Sequence, residues 1–423
     1  MIKQSHFTIS FFVPFLVSIG VLSELSPQVR YLLGPFIPIA AVLLLVVVIL
    51  TFKNINVLFK VIKKYKFVFI LGLIFVVQSI FRLNEVSNDI VILSNFIIYP
   101  IFILILIFLV AIVVELGQEA LENFKKIVIV VWTLSLILGI PTLLKYPMVA
   151  RLITSSGNSL TNEYYKYCAL GVGSFSTYTA YAISLPLIWS AIPIFSKKII
   201  LLIKTLVFFS CISVFLSAFT FASIIVIFNF TSIFLNEIIN TKLENRFRKM
   251  LTPLSIIIIV LVLPFTFDFD QYEATRFTMS KFDNALFKYF SNDNIFMSDD
   301  TSRLYWVSEE LVKFIESPII GFIPTKINSN IPIYFHSSFS NFLVLFGLPF
   351  ALVWFCVVFY YFKINIKNIG KPEIFLYYSA LLCFIIAGII NPVWNNPTIF
   401  ISLIIFSSYL NTSKIVIKKK QFN

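Results

Sequence analysis

The chain has 423 residues, of which 59% are hydrophobic and only 13% are charged. Soluble globular proteins carry about 45–50% apolar and about 25% charged residues, so this composition excludes a soluble enzyme and a disordered chain. The apolar residues form repeated runs near the roughly 20 residues that cross a bilayer as a helix, which also excludes a membrane β-barrel of short alternating strands. The sequence therefore predicts an all-α polytopic membrane protein.

Twelve membrane spans are predicted from the apolar runs. The division near Phe219 depends on length, because residues 199–240 are almost unbroken apolar sequence and far too long for one crossing. The predicted spans are residues 7–23, 31–52, 67–83, 90–114, 127–146, 175–195, 199–218, 220–240, 251–267, 338–362, 374–391 and 397–411.

The basic residues predict the orientation of these spans. With the N-terminus inside, 22 of the 33 Lys and Arg residues and 6 of the 20 acidic residues fall in cytoplasmic segments, as the positive-inside rule requires. The net charge of +13 then reflects topology and attraction to anionic lipid headgroups. Because the charge is spread over seven separated segments, no nucleic-acid partner is expected. Both termini are expected in the cytoplasm.

The cysteines and histidines do not indicate a disulfide framework or a metal centre. Cysteines in or beside apolar runs, without a C-x-x-C pair, are typical of small core residues. The four are Cys168, Cys211, Cys356 and Cys383. Two histidines cannot build a histidine-rich metal site, and no carboxylate cluster stands out, so neither a metal nor another cofactor is expected.

Two outer loops are long enough to carry function, at residues 147–174 and 268–337. The second loop holds ten of the 20 acidic residues. Function usually lies on long loops held by a rigid scaffold, although a disordered, solvated loop is the alternative. The chain thus divides into residues 1–267 with nine spans, the large loop, and residues 338–423 with three spans and a basic cytoplasmic tail.

An amphipathic helix is predicted within the large loop, over residues 302–317. Its apolar positions recur at helical spacing, with charged positions on the opposite side. The apolar positions are Leu304, Val307, Leu311 and Ile315, and the charged ones are Glu309, Lys313 and Glu316. Residues 299–302 supply N-caps and negative charge, and Ser317-Pro318 ends the helix. Such a helix can lie along the membrane surface or against the bundle.

Arg303, at the first turn of this helix, and His336, at the mouth of span ten, are both expected near the outer interface, and Asn341 lies about one and a half turns inside span ten. Together they predict a cleft for an anionic, lipid-linked substrate. The structural alternatives are a snorkelling Arg303 and a simply hydrogen-bonded His336. Trp306 is either an anchor in the aromatic belt or a surface on which a sugar ring stacks.

The pattern R-x-x-W, an amphipathic helix, S-P-x-x-G, a turn and H-S-x-F-x-N-F-L-x-x-x-G resembles the shared region of the O-antigen polymerase and O-antigen ligase superfamily. The matching residues are Arg303, Trp306, Ser317, Pro318, Gly321, His336, Ser337, Phe339, Asn341 and Gly347. The predicted topology, with one large outer loop late in the chain, is also similar. The resemblance implies a GT-C-type membrane fold. It also implies glycan transfer from undecaprenyl diphosphate on the periplasmic side of the inner membrane of Gram-negative bacteria.

A weaker match begins at Arg151, after span five, and includes residues 173–187. Two positions depart from the family pattern. Ser337 stands where many relatives have Asn, and residues 217–223 lack the Arg that many relatives carry between spans seven and eight. The phosphate-binding set is therefore incomplete unless another basic residue takes that place. The candidates are Arg151, Lys166, Arg276 and Lys281.

The reaction implied by the resemblance is metal-independent glycosyl transfer, in which a sugar hydroxyl attacks the anomeric carbon and undecaprenyl diphosphate leaves. Arg303 and Arg151 are predicted to stabilise the diphosphate, because a guanidinium binds phosphate oxygens in pairs. His336 is predicted to orient or deprotonate the attacking hydroxyl, with Asp299 and Asp300 as rival bases. The predicted substrate-binding residues are Arg151, Arg276, Lys166, Trp306 and Asn341.

Three functions remain open on the sequence. A polymerase would join repeat units on undecaprenyl diphosphate, with a separate protein controlling chain length. A ligase would transfer the finished glycan to lipid A-core. A lipid-linked oligosaccharide flippase is the third, but transporters usually show repeated halves and ionisable residues near the midplane, which this sequence lacks. The departures at Ser337 and near Phe219 favour the polymerase.

Overall fold

The computed structural model describes the greater part of the chain, and its described residues are helices and connecting turns. They are residues 2–34, 37–51, 55–83, 94–146, 148–155, 162–190, 197–217, 219–240, 303–321, 337–366, 371–391, 393–394 and 396–410. Within these ranges five helices are long and apolar enough to cross a membrane, or six if one bent pair forms a single span, and three shorter apolar helices accompany them. The chain is therefore an α-helical membrane protein, as predicted, while the number of twelve spans stays a prediction.

Fifteen α-helices are described, and one π-helical turn (Ser94–Ile98) precedes the fifth. They are α1 (Ile2–Leu25), α2 (Pro27–Leu33), α3 (Ile37–Thr51), α4 (Ile55–Leu83), α5 (Tyr99–Leu116), α6 (Gln118–Lys145), α7 (Val149–Ser155), α8 (Asn162–Ala169), α9 (Phe175–Ser190), α10 (Lys197–Leu216), α11 (Thr220–Asn240), α12 (Arg303–Glu316), α13 (Ser338–Ile366), α14 (Lys371–Ile390) and α15 (Pro397–Leu410). The predicted span at 251–267 lies outside the described residues, and each of the other eleven overlaps one of these helices.

Side-chain contacts give the relative directions of the helices. Helices α1 and α6 run parallel, because Asn123 Nδ2 donates to Ser10 O at 3.1 Å near one end. At the other end Ser26 Oγ donates to Ser135 Oγ at 3.0 Å. This parallel pairing is the one expected for the first and fifth of a series of alternating crossings.

Helices α4 and α13 run antiparallel, as expected for the third and tenth crossings. The ring of Tyr65 stacks on Tyr361 with centroids 6.3 Å apart, and Phe75 packs against Trp354 at 5.1 Å. Residue numbers therefore rise along α4 as they fall along α13. Both pairs agree with the predicted alternation of directions, whichever side of the membrane each end faces.

Helix α13 folds back on itself at Gly347, where φ is 68° and ψ is 170°. The ring centroids of Phe339 and Phe355 lie 6.2 Å apart, whereas a continuous helix would separate their backbones by about 24 Å. Residues 338–346 thus run back along the first turns of residues 348–366. The second piece alone has the length of about 30 Å that a bilayer core requires. The predicted span at 338–362 therefore contains a break at Gly347 that the sequence did not indicate.

A buried amide joins α9, α11 and α14 inside the bundle. Asn229 Nδ2 donates to Ala182 O at 2.8 Å, and its Oδ1 accepts from Ser379 Oγ at 3.1 Å and Cys383 Sγ at 3.3 Å. The amide is thus bonded on both sides, which makes it a structural link. All four cysteines are free and three are buried, as predicted for core residues.

The ends of several helices meet at one end of the bundle, which is called the motif end. It is where α1 ends at Leu25, α9 begins at Phe175, α14 ends at Ile390 and α15 begins at Pro397. The first turn of α13 joins it, since Ser338 N donates to Asn391 O at 3.2 Å.

Candidate functional site

The S-P-x-x-G turn after α12 is seated on the fold-back of α13. Both glycines have positive φ, 76° at Gly321 and 68° at Gly347. A Cβ on Gly321 would lie 2.5 Å from Gly347 N, and a Cβ on Gly347 would collide with Ile319 O. Leu348 N donates to Pro318 O at 2.8 Å. The two halves of the sequence motif are therefore in direct contact, through positions that accept only glycine.

The amphipathic helix predicted in the large loop is present as α12, but its buried face differs from the expected one. Glu310 is 3% exposed, and Leu311 and Phe314 pack partly buried against the core. Ile315, predicted on the apolar face, is 72% exposed. Compared with the predicted orientation, α12 is rotated about its axis so that Glu310 faces a polar partner on α13.

That partner is Ser340, which shares a short hydrogen bond with Glu310 Oε2. Among the described residues Glu310 Oε1 has no hydrogen-bond partner. Burial raises the pKa of Glu310 to about 7, against smaller lowering effects of the Ser340 hydrogen bond and the positive charge of Lys313. Sequence reasoning missed Glu310, since a carboxylate beside Glu309 on an amphipathic helix is more typical of a solvated face.

The first turn of α13 is anchored to the turn between α14 and α15. Ser338 Oγ donates to Asn391 O at 3.3 Å and accepts from Trp394 N at 2.9 Å. Asn341, one turn further along, is 2% exposed. Its Oδ1 finds no donor in the described part of the chain. The predicted substrate-binding Asn341 thus presents an acceptor oxygen within the motif segment.

The predicted site residues differ in what the structure says of them. His336 and Arg276 lie outside the described residues. Arg303 and Trp306 lie in the first turn of α12, and their side chains are outside the described set. Arg303 precedes Glu310 by seven residues, about 10 Å along the helix axis. Because α12 is fixed on α13, the helix that carries Arg303 is in contact with the segment that directly follows His336.

Arg151 lies on α7 and reaches the turn between α10 and α11. Its guanidinium is 5.9 Å from the ring centroid of Phe219. This is the turn at which the resemblance would place an Arg that the sequence lacks. Lys166, by contrast, is exposed on α8, and Lys281 lies outside the described residues. Arg151 therefore places a guanidinium beside the turn between α10 and α11, where the local sequence has no Arg.

Aromatic rings connect this turn to the end of α1. The ring centroids of Phe219 and Tyr178 are 6.0 Å apart, and those of Tyr178 and Tyr181 are 5.9 Å apart. Tyr181 Oη then donates to Leu25 O at 2.9 Å. Arg151 is thus held at the motif end by a packed aromatic layer.

A further polar cluster at the motif end was missed in the sequence. Helices α1 and α2 meet at 111°, where Ser26 caps α2 ahead of Pro27. The bend places Arg30 Nη1 3.7 Å from Glu24 Oε2, and Thr398 Oγ1 donates to the same oxygen at 3.2 Å. Ser26-Pro27, directly after span one, is a helix-start signal that could have indicated a second helix and hence a bend at this position.

Comparisons with protein-family models, with characterised proteins and with solved structures find no match to this chain. Among the described residues no three His, Cys, Asp or Glu side chains are grouped as a metal site.

Proposed function

We propose that the protein is an O-antigen polymerase that joins oligosaccharide repeat units carried on undecaprenyl diphosphate. The proposal includes a GT-C-type arrangement of about twelve spans in the inner membrane, cytoplasmic termini and a periplasmic motif end. The observation that carries it is the contact between the two halves of the motif at Gly321 and Gly347. Residues that are distant in the sequence resemblance are adjacent at the motif end.

The diphosphate leaving group is assigned to Arg303 and Arg151. Negative charge grows on the leaving oxygen as the glycosidic bond breaks, and a guanidinium offers paired, permanently charged donors. The position of Arg151 over Phe219 supports this role, because it supplies the guanidinium missing from the turn between α10 and α11. Arg276 and Lys166 are assigned weaker contacts to the same substrate.

The acceptor sugar is assigned to the segment that begins α13. His336 directly precedes the anchored Ser337–Ser338 turn and orients or deprotonates the attacking hydroxyl. The acceptor oxygen of Asn341, which has no donor among the described residues, suits a sugar hydroxyl, and Trp306 suits the face of a sugar ring. The reaction needs the glycan substrates and the bilayer, and a separate regulator would set the chain length.

Two other functions remain as alternatives. A ligase would use the same motif with lipid A-core as acceptor. A flippase would account for the break between α1 and α2, which are bent by 111°, since broken helices are a feature of transporters.

Deletion of the gene separates the three functions. A polymerase mutant makes lipopolysaccharide that carries a single repeat unit. A ligase mutant makes lipopolysaccharide without O-antigen while the lipid-linked polymer accumulates outside. A flippase mutant retains lipid-linked repeat units on the cytoplasmic side. Either of the last two outcomes contradicts the polymerase proposal.

A further inference from the structure

We infer that Glu310 is a positioning residue that, as a neutral carboxylic acid, holds α12 against the first turn of α13. Its consequence for glycosyl transfer depends on the proposed function, because α12 carries Arg303. The docking itself does not depend on that function and can be measured without a substrate.

Helix α12 is attached to α13 at two places. At its end, Gly321 packs on Gly347 and Pro318 O accepts from Leu348 N. The second place is the bond between Glu310 and Ser340, which are 3% and 0% exposed. A helix fixed at one end can still pivot, so the second attachment sets the direction in which the first turn of α12 points.

The number of protons shared by the Ser340 hydroxyl and the Glu310 carboxyl group favours the neutral acid at this attachment. The Ser340 hydroxyl has one proton and two acceptor neighbours, Ser337 O at 3.5 Å and Glu310 Oε2. A neutral Glu310 donates its own proton to Ser340 Oγ, which leaves the Ser340 proton for Ser337 O. An ionised Glu310 would take that proton, and its buried, charged Oε1 would have no donor among the residues that the structure describes.

The charges around Glu310 do not compensate an ionised carboxylate fully. Lys313, on the same helix, is the cation that acts on it, and its effect is smaller than that of burial. The described first turn of α13, which faces Glu310, is uncharged. It carries Ser337, Ser338, Ser340 and Asn341. His336, the next residue towards the N-terminus, lies outside the described residues.

The sign of the pH effect follows from the direction of the pKa shift. The pKa of Glu310 rises from 4.5 to about 7 when the side chain is buried. The docked form then binds more protons than the undocked form, so docking is strongest at low pH and weakens as the pH rises from about 4.5 to about 7.

The test measures access to the face of α12 that docks on the bundle. In a protein with Cys356 replaced by Ser, Leu311→Cys reports the half-buried face and Ile315→Cys, on the exposed face, serves as the matched control. Each variant is labelled with a membrane-impermeant maleimide at pH 5.5 and pH 8.5. At each pH, the labelling rate of Leu311→Cys is divided by that of Ile315→Cys, which removes the pH dependence of the thiol reaction.

The rate ratio is expected to rise on the order of tenfold from pH 5.5 to pH 8.5 with Glu310 present. Glu310→Gln, a neutral side chain of the same size, should keep the ratio low at both pH values, and Ser340→Ala should raise it at pH 5.5. A ratio that does not change with pH, or that changes equally in Glu310→Gln, overturns the inference. Since labelling needs no glycan, a protein that labels as expected but transfers no sugar contradicts only the proposed function.

Discussion

Arg151 shows how a residue can approach a turn that is distant from it in the sequence. The missing guanidinium was expected at residues 217–223, but Arg151 approaches that turn from α7 through the ring of Phe219. A neighbour 68 positions away in the chain cannot be found by a local pattern. The contact required knowledge of how α7, α9 and α11 pack.

Arg151→Lys is predicted to slow glycan polymerisation by about 10²–10³, because it keeps the charge but loses paired binding of phosphate oxygens. Phe219→Leu should cost less, about 2- to 30-fold, since a cation–π contact contributes about 0.5–2 kcal/mol. The measurement is the polymerisation rate at equal protein level. Lys145→Arg, a cation over Tyr146 at the end of α6, is the control. Parental rates in both Arg151→Lys and Phe219→Leu would remove Arg151 from the site.

At the scale of elements, apolar runs and helix-start signals located the helices well, including α12 before its Ser317-Pro318 stop. They could not locate the fold-back of α13, because a glycine within an apolar run is equally typical of close helix packing. They also could not show that α12 buries Glu310, since its partner Ser340 lies 30 residues further along the chain. Both features depend on tertiary contacts that override local periodicity.

Gly347→Ala is predicted to destabilise the junction of α12 and α13. A left-handed backbone costs an L-residue about 1–2 kcal/mol, and the collision with Ile319 O adds about 1–3 kcal/mol. Gly34→Ala is a matched control, because Gly34 has nearly the same backbone, φ 80° and ψ 172°, but no described atom within 4 Å of a Cβ. Thermal unfolding in detergent measures both. Equal losses would mean that the glycine contact contributes nothing.

The bend between α1 and α2 is predicted to be held in part by the Glu24–Arg30 pair. The pair is long, at 3.7 Å, and the Arg30 side chain is 38% exposed, so solvent screening limits its contribution. Arg30→Ala should lower the free energy of unfolding by about 1 kcal/mol, and by less when Glu24 is already Gln. A double-mutant cycle of thermal stabilities checks this. Additive losses would show that the two side chains are uncoupled.

At the scale of the whole molecule, the sequence predicted the α-helical membrane class and the alternation of helix directions, which the pairs α1–α6 and α4–α13 agree with. Absolute orientation depends on the basic segments alone. It stays a prediction, because no contact among the described residues of the bundle distinguishes one side of the membrane from the other. The motif end was not predictable, since it is assembled from Leu25, Phe175, Ile390 and Pro397, which no local signal connects.

The predicted orientation places the motif end in the periplasm and the C-terminus in the cytoplasm. In a Gram-negative host, a C-terminal fluorescent-protein fusion should fluoresce, and a C-terminal alkaline-phosphatase fusion should be inactive. Ile315→Cys, which is exposed on α12, should react with an impermeant maleimide in cells whose outer membrane alone is opened. Active phosphatase together with a protected Ile315→Cys would reverse the orientation and exclude periplasmic glycan transfer.

We propose that the first turn of α12, fixed on the fold-back of α13, supplies Arg303 to a departing diphosphate. The most direct measurement is chain growth by the purified protein in lipid vesicles with a defined undecaprenyl-diphosphate-linked repeat unit. The account predicts a ladder of products for the parent protein and a loss of about 10²–10³ in rate for Arg303→Lys, with Lys363→Arg at the far end of α13 as the control. No elongation by the parent, or an unchanged ladder with Arg303→Lys, would contradict it.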